Sequence, residues 1–348
     1  MTNQKQRVSN IELLRIISMC GIIAMHYMNP EIGGAVQNSI FPNFSWFYTH
    51  ILSSLCVPLV NCFVLISGYF LVSRNIFSLN KIVKLLIITV FYGFIAYMIS
   101  LLIGNDEFSF IKLLYAIIPF FNGNRWFVET YILLLLFSPF INKTLRSLDK
   151  KKYELLIIIQ VMVFSVWYSL GLSAPLLDDG YGIINFVTLY MIGGYIHFYG
   201  KEFSFYKLKS YILLCAYLLT TLLTFIFSYF TNPFGYAFIT NILASVFVFF
   251  VFVKCNMGEI KIINKISKAT FDIYFVHSDK NTSILLIYNL LGAKYVMDSP
   301  WMIIHIIFVI VAIWVLGLAT CYIRENIFSI TVDKWIDKLN FLKKELEI

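Results

Sequence analysis

The sequence predicts an all-α, polytopic membrane protein with about ten transmembrane helices and both termini in the cytoplasm. Three observations predict it. Of the 348 residues, 59% are hydrophobic and only 13% charged, whereas a soluble domain carries about 25% charge. The apolar residues gather into stretches near the roughly 20 residues that a bilayer-spanning helix needs. The basic residues crowd into alternate loops, as they do on the cytoplasmic side of a membrane.

The apolar stretches run about 12–29, 49–72, 82–103, 126–142, 153–172, 181–199, 207–230, 236–254, 269–292 and 300–323. The first follows basic residues and is stopped by Asn29-Pro30, and no small-x-small cleavage site follows, so it reads as a span and not a leader. In the second, Ser67-Gly68 predicts a close helix–helix approach. The stretch from Phe108 to Phe121 reads as an interfacial or re-entrant piece before a short fourth span. The ninth contains His277, Asp279 and Lys280, so its outer half faces protein or water and not lipid. After residue 324 the pattern changes. Phe328, Val332, Trp335, Ile336, Leu339, Leu342 and Leu346 recur at three- and four-residue steps with lysines between them, which predicts an amphipathic helix on the inner leaflet. The expected division is therefore a transmembrane domain, 1–324, and a basic cytoplasmic tail, 325–348.

The formal charge of +8 does not point to nucleic acid, because of where the charges lie. One side holds Lys5 and Arg7; Arg74, Lys81 and Lys84; Lys143, Arg146 and Lys150 to Lys152; Lys201, Lys207 and Lys209; Lys254 to Lys268; and Arg324 to Lys344. The other holds only Lys112, Arg125 and Lys294. This asymmetry is the positive-inside pattern of a multi-pass protein, expected in a bacterial plasma membrane.

Several chemistries lack their motifs. There is no GxSxG elbow, no P-loop and no HExxH. The six cysteines fall mostly within apolar runs without metal spacing, so neither a metal site nor a disulfide framework is expected. Among the histidines, His50, His197 and His305 read as structural imidazoles. His277 stands out because Asp279 and Lys280 are adjacent, and His26 stands out more. It lies eleven steps after Arg15 on one apolar helix, which returns it almost to the same face about 16 Å further along. Ionisable groups inside a bilayer mark function by default. A neutral imidazole accepts a proton from a hydroxyl, and an arginine fork suits a phosphate or carboxylate. Arg125-Trp126-Phe127-Val128-Glu129 opens the fourth span, and Arg125 and Glu129 are spaced to pair on one helix face. This segment is either a structural ion pair or a wall of an outward-facing acceptor site.

These motifs together resemble the acyltransferase 3 family of integral membrane acyltransferases, in particular its bacterial surface-polysaccharide O-acetyltransferase branch. Asn10 to Ile17 followed by His26-Tyr27 is similar to the family's opening, and Phe63 to Phe70 to its second-span signature. Arg125-Trp126-Phe127 with Ser138 to Asn142, and Ser267 with Ile273 to His277, are similar to its later patterns. The resemblance implies transfer of an acyl group, commonly acetyl, from cytoplasmic acyl-CoA to a sugar hydroxyl at or beyond the membrane. It implies a catalytic histidine at His26 supported by Arg15. Where relatives carry Arg-x-x-Arg on the first inner loop, this chain has Lys81-Ile82-Val83-Lys84, which keeps the charge without the fork.

The expected activity is O-acylation of a cell-envelope polysaccharide or lipid-linked glycan. His26 and Arg15 would be catalytic. Arg15, Lys81 and Lys84 would hold the phosphates of acetyl-CoA or another acyl-CoA, and Arg125, Trp126, Glu129 and His277 would line the acceptor site. The expected partners are the acyl-CoA, the glycan or lipid-linked sugar, and membrane lipid, with no nucleic acid. His26 acts either as a base toward the hydroxyl or through an acyl-histidine. The alternative is a transporter or flippase of a lipid-linked sugar, although neither repeat halves nor paired broken helices are present.

Overall fold

The computed structural model describes residues 8–36, 39–74, 76–77, 79–118, 125–172, 178–297, 299–339 and 346–347. The chain is built almost wholly of helix: α1 (Ser9–Met28), α2 (Phe44–Leu71), α3 (Leu79–Leu102), α4 (Phe110–Ile117), α5 (Trp126–Ser147) and α6 (Lys150–Val161). A π-helical turn, Met162–Val166, carries α6 into α7 (Trp167–Ser169). There follow α8 (Ile183–Tyr199), α9 (Ser204–Lys207), α10 (Ser210–Phe227), α11 (Ile239–Lys254), α12 (Lys261–Ile266), α13 (Thr270–Ser278) and α14 (Lys280–Ser283). A second π-helix, Ile284–Leu290, precedes α15 (Met302–Ile330) and α16 (Val332–Lys338). Two two-residue strands, Ile76–Phe77 and Leu346–Glu347, pair antiparallel, with Ile76 opposite Glu347.

Among the described residues, seven helical segments are long and apolar enough to cross a membrane: α1, α2, α3, α5, Lys150–Ser169, α10 and Met302–Lys338. Helix occupies the other three predicted stretches too, but none is a single helix of that length. α8 and α11 have 17 and 16 residues, and the ninth stretch is divided among α13, α14 and the second π-helix. The protein is a polytopic, all-helical membrane protein.

The chain forms two compact units. The first comprises Met1–Met25, Trp46–Val72 and Leu148–Thr270. In it, Gly68 of α2 lies against the backbone of Tyr190, and Gly193 of α8 against that of Leu65. A Cβ on either glycine would overlap a carbonyl oxygen. This is the close approach that the small residue at the end of the second span predicted; without a hydrophobic drive between helices in lipid, such packing and interhelical hydrogen bonds hold them together. The Tyr153 hydroxyl donates to the Met191 carbonyl at 2.8 Å, and that of Ser165, in the first π-turn, to the Ala237 carbonyl at 2.7 Å. α10 and α11 are joined by the buried Thr224, Thr240 and Asn241, with the Asn241 amide donating to the carbonyls of Pro233 and Gly235, both at 2.8 Å.

The second unit comprises His26–Ser45, Ser73–Ser147 and Phe271–Ile348. Here α4, begun by the Ser109 cap, leaves Phe110, Ile111 and Tyr115 exposed, which suits a helix lying at a membrane interface. Residues 119–121 of the predicted interfacial stretch lie outside the described residues. α15 runs unbroken through position 324 to Ile330, and α16 adds seven residues. Lys84 of α3 bonds Asp333 of α16 at 2.7 Å. Lys5, Arg7, Leu342, Lys343 and Lys344 lie outside the described residues, and the side chain of Leu346 is not described.

Asp272, in the first turn of α13, is buried and held by the guanidinium of Arg324 in α15. Nε donates to one carboxylate oxygen, and Nη2 to the other at 3.1 Å. The Tyr92 hydroxyl donates to the first oxygen at 2.7 Å. Gly317 of α15 faces Ile273, where any Cβ would collide with the isoleucine. The glycine and the buried ion pair thus seat α13 against α15. Arg324, expected among the loop cations, is instead buried on α15, and Asp272 carries no sequence signal of its own beyond a carboxylate at the start of an apolar stretch.

Candidate active site

His26 is in the last turn of α1 and His277 in the last turn of α13. Both belong to the second unit, and their ring centroids lie 4.9 Å apart at 59°. The His26 Nδ1–H donates to the His277 carbonyl at 3.0 Å, since the carbonyl can only accept. In the neutral ring this fixes the tautomer and leaves Nε2 carrying a lone pair.

The reason that carbonyl is free is local. α13 stops at Ser278, and Asp279 is extended (φ −76°, ψ 128°) and caps α14 by accepting from the Thr282 N–H at 3.3 Å. In an unbroken helix the His277 carbonyl would bond four residues onward. The break turns it instead to two side-chain donors, His26 Nδ1–H and the Ser283 hydroxyl. The His277 ring donates from Nδ1 to the Ile273 carbonyl at 2.5 Å. The ring is fully buried, and Nε2 has no hydrogen-bond partner among the described residues. His26 itself is only partly buried. Two imidazoles therefore stand side by side, each tethered through Nδ1 to a backbone carbonyl and each keeping an Nε2 lone pair.

The same unit contains several other charged groups. Arg125, buried just before α5, donates from Nη1 to the Ala116 carbonyl at 3.1 Å, and its Nη2 lies 3.6 Å from Asp279. Its carboxylate partner is thus Asp279 and not Glu129. Arg125 sits one residue before the helix begins, so the i,i+4 geometry does not govern its side chain. Glu129 is buried on α5, and Trp126 opens the helix with its ring edge-on to Phe127. Lys280 bridges to Glu31 at 3.0 Å, in the loop that closes α1 through Gly33 N–H to the His26 carbonyl at 3.1 Å. The Tyr27 hydroxyl bonds His305 Nδ1 at 2.9 Å, and His305 Nε2–H donates to the Leu291 carbonyl at 2.8 Å. With both ring nitrogens engaged, His305 is the structural imidazole expected. His50 is stacked on Trp46 at 4.0 Å with Nδ1–H donating to the Trp46 carbonyl at 2.9 Å.

The remaining sequence candidates lie elsewhere. Arg15 belongs to the first unit, where Nη1 donates to Glu12 at 2.7 Å; the other Glu12 oxygen accepts from the Ser267 hydroxyl at 2.5 Å. Ser9, one turn back, donates to Asn264 at 2.9 Å and accepts the Ile260 N–H at 2.7 Å. The i,i+3 spacing of Glu12 and Arg15 is the sequence signal for this pair. Lys81 is exposed at the start of α3, and Lys84 is paired with Asp333. No group of three or more His, Cys, Asp or Glu side chains able to hold a metal occurs among the described residues.

In each of the His26 and His277 rings Nδ1–H is committed to a backbone carbonyl, and a neutral ring held in this way can accept a proton at Nε2. The chain belongs to the acyltransferase 3 family: the family model, an acyltransferase domain, matches residues 8–322, nearly the whole length. It is a multi-pass membrane acyltransferase. No curated protein and no solved structure matches it.

Proposed function

We propose that the protein is an O-acyltransferase of the bacterial plasma membrane. It moves an acyl group, acetyl in the first instance, from cytoplasmic acyl-CoA to a sugar hydroxyl of a cell-envelope polysaccharide or lipid-linked glycan. The observation that carries this reading is the bond from His26 Nδ1–H to the His277 carbonyl, which presents Nε2 as the basic nitrogen. The hydroxyl proton passes to His26 Nε2 as the oxygen attacks the thioester carbonyl. The tetrahedral adduct collapses by breaking the C–S bond, and the proton leaves on the CoA thiolate, giving the ester and free CoA. His277, Arg125, Trp126 and Glu129 are assigned to the acceptor. Arg15, Lys81 and Lys84 are assigned by charge and position in the sequence to the donor phosphates, and the basic segment after residue 324 to the inner leaflet.

The test is membranes bearing wild-type or His26→Ala protein, supplied with radiolabelled acetyl-CoA and the strain's own envelope glycan. A positioned general base contributes about 10²- to 10⁴-fold, so label transfer should fall by at least about a hundredfold at equal protein level. Undiminished labelling by His26→Ala would refute the assignment. Glycan translocated without CoA consumption by the wild type would instead favour transport.

A further inference from the structure

The second unit contains a cavity of about 380 Å³ bounded by α3, α13, α14, the second π-helix and α15. Its walls are hydrocarbon: Ile95, Val276, Leu286 and Leu316 are typical. The few polar side chains on the wall have their donors committed. Tyr92 donates to Asp272, Thr320 to the Gly317 carbonyl at 3.0 Å, and Thr282 to the Asp279 carbonyl at 3.1 Å. A sugar or the amides of a pantetheine arm would lose most of their hydrogen bonds to water here and find no donor on the wall in return, at a cost of roughly 1–3 kcal/mol for each unpaired group. The space suits an alkyl or prenyl chain.

Two further observations separate this cavity from an incidental gap between helices. First, three of its lining residues, Leu285, Leu286 and Leu290, belong to the seven-residue π-helix. π-helix is rare and found frequently at functional sites. Second, the wall shares its backbone with the imidazole pair. Val276 and Thr282 line the cavity, and their chain neighbours His277 and Ser283 build the carbonyl site that holds His26. A chain lying in the cavity is anchored by the same short helices that tether the base.

The rim indicates where the chain comes from. Leu290, Leu316 and Ile323 are exposed, and Leu316 and Ile323 continue into the exposed apolar face of α15 that includes Val311 and Val315. That face is suited to lipid, so the cavity opens toward the bilayer. A chain already dissolved in the membrane reaches it directly, whereas an acyl group arriving on water-soluble CoA does not.

We propose that this cavity binds the hydrocarbon chain of a lipid-linked acceptor, so that the sugar hydroxyl is delivered to His26 by a lipid held within the membrane. The inference rests on the acyl-transfer reading above, and the experiment separates the two. Wild-type membranes receive a lipid-linked oligosaccharide with a diazirine in its lipid chain, and the cross-linked peptides are mapped. Labelling within residues 275–291 or on α3 and α15 around Ile95 and Leu316 is expected, with competition by unlabelled lipid-linked acceptor. Labelling confined to other segments overturns the proposal. So does equal labelling by a diazirine phospholipid, or labelling by a diazirine fatty acyl-CoA in its place. In parallel, Ala96→Phe narrows the cavity from α3, a helix that carries neither imidazole. With acetyl-CoA as donor, its KM for the lipid-linked acceptor should rise about tenfold, the loss expected from displacing about two methylenes. Turnover of the same oligosaccharide on a short water-soluble aglycone should be unchanged. An unchanged KM for the lipid-linked acceptor overturns the proposal. If wild-type protein acetylates neither acceptor, the acyl-transfer reading fails while the cross-link still reports what the cavity holds.

Discussion

The first and last turns of α13, which carry Asp272 and His277 five residues apart, treat a buried polar side chain in opposite ways. At the first turn, Asp272 is 2% exposed and both oxygens are engaged, by Arg324 and Tyr92. At the last turn, His277 is 0% exposed, yet its Nε2 has no partner among the described residues, while its carbonyl takes two side-chain donors. Burial is the same; what separates them is whether the polar atoms are paired. A buried acceptor left unpaired costs roughly 1–3 kcal/mol, and such a group in a native protein asks for an explanation. The satisfied end is a fastening between helices. The unsatisfied end is where a proton or a substrate hydroxyl can still be accepted.

The largest expected effect breaks the fastening. Asp272→Ala leaves Arg324 charged and buried without its partner, which costs about 3–5 kcal/mol. Thermal unfolding in detergent should shift strongly downward and membrane abundance should fall, while kcat of the surviving folded protein stays near wild type. Replacing both members, Asp272→Leu with Arg324→Met, should recover much of the loss, because a well-packed apolar pair is often as stable as a buried ion pair. If Asp272→Ala unfolds at the wild-type temperature but has lost its turnover, the division between fastening and chemistry along α13 is wrong.

The second effect tests the other end. His277→Phe removes the ring but keeps the backbone carbonyl, so His26 keeps its tautomer. A fall in kcat of about tenfold is expected, smaller than the loss for His26→Ala because the base itself remains. Wild-type kcat in this variant would make the His277 side chain structural and leave only its carbonyl with a role.

What the sequence discloses follows the range of the interactions. Composition and apolar runs are local properties, so the membrane class and the positions of the helical segments were readable. An ionisable group in an apolar helix, as at His26 or Arg15, is conspicuous by itself, which is why both are sequence candidates. Contacts distant in sequence were not readable. Arg125 was matched with Glu129 by helical spacing, but it precedes the helix and turns to Asp279. Asp272 finds its partner 52 residues away, on a helix that runs past the end of its apolar stretch. The break at Asp279 divides an apolar stretch that hydropathy treats as one span, and that break frees the carbonyl on which His26 rests.

The smallest effect concerns the second donor to that carbonyl. Ser283 is buried, and its hydroxyl shares the His277 oxygen with His26 Nδ1–H. A carbonyl oxygen has two lone pairs, so both donors are accommodated. Ser283→Ala removes one and leaves the other, and no buried donor is orphaned because the hydroxyl goes with the substitution. The expected loss is that of one ordinary hydrogen bond, about 1 kcal/mol of stability, with kcat lowered less than about threefold, since His26 stays tethered and its Nε2 is untouched. The measurement is acetyl transfer to the envelope glycan beside thermal unfolding of the same preparation. A kcat loss as deep as that of His26→Ala, with stability preserved, would mean that the Ser283 hydroxyl itself meets the substrate. The bond to the carbonyl would then be its resting position between turnovers, and the unsatisfied end of α13 would extend one helix further than the imidazoles.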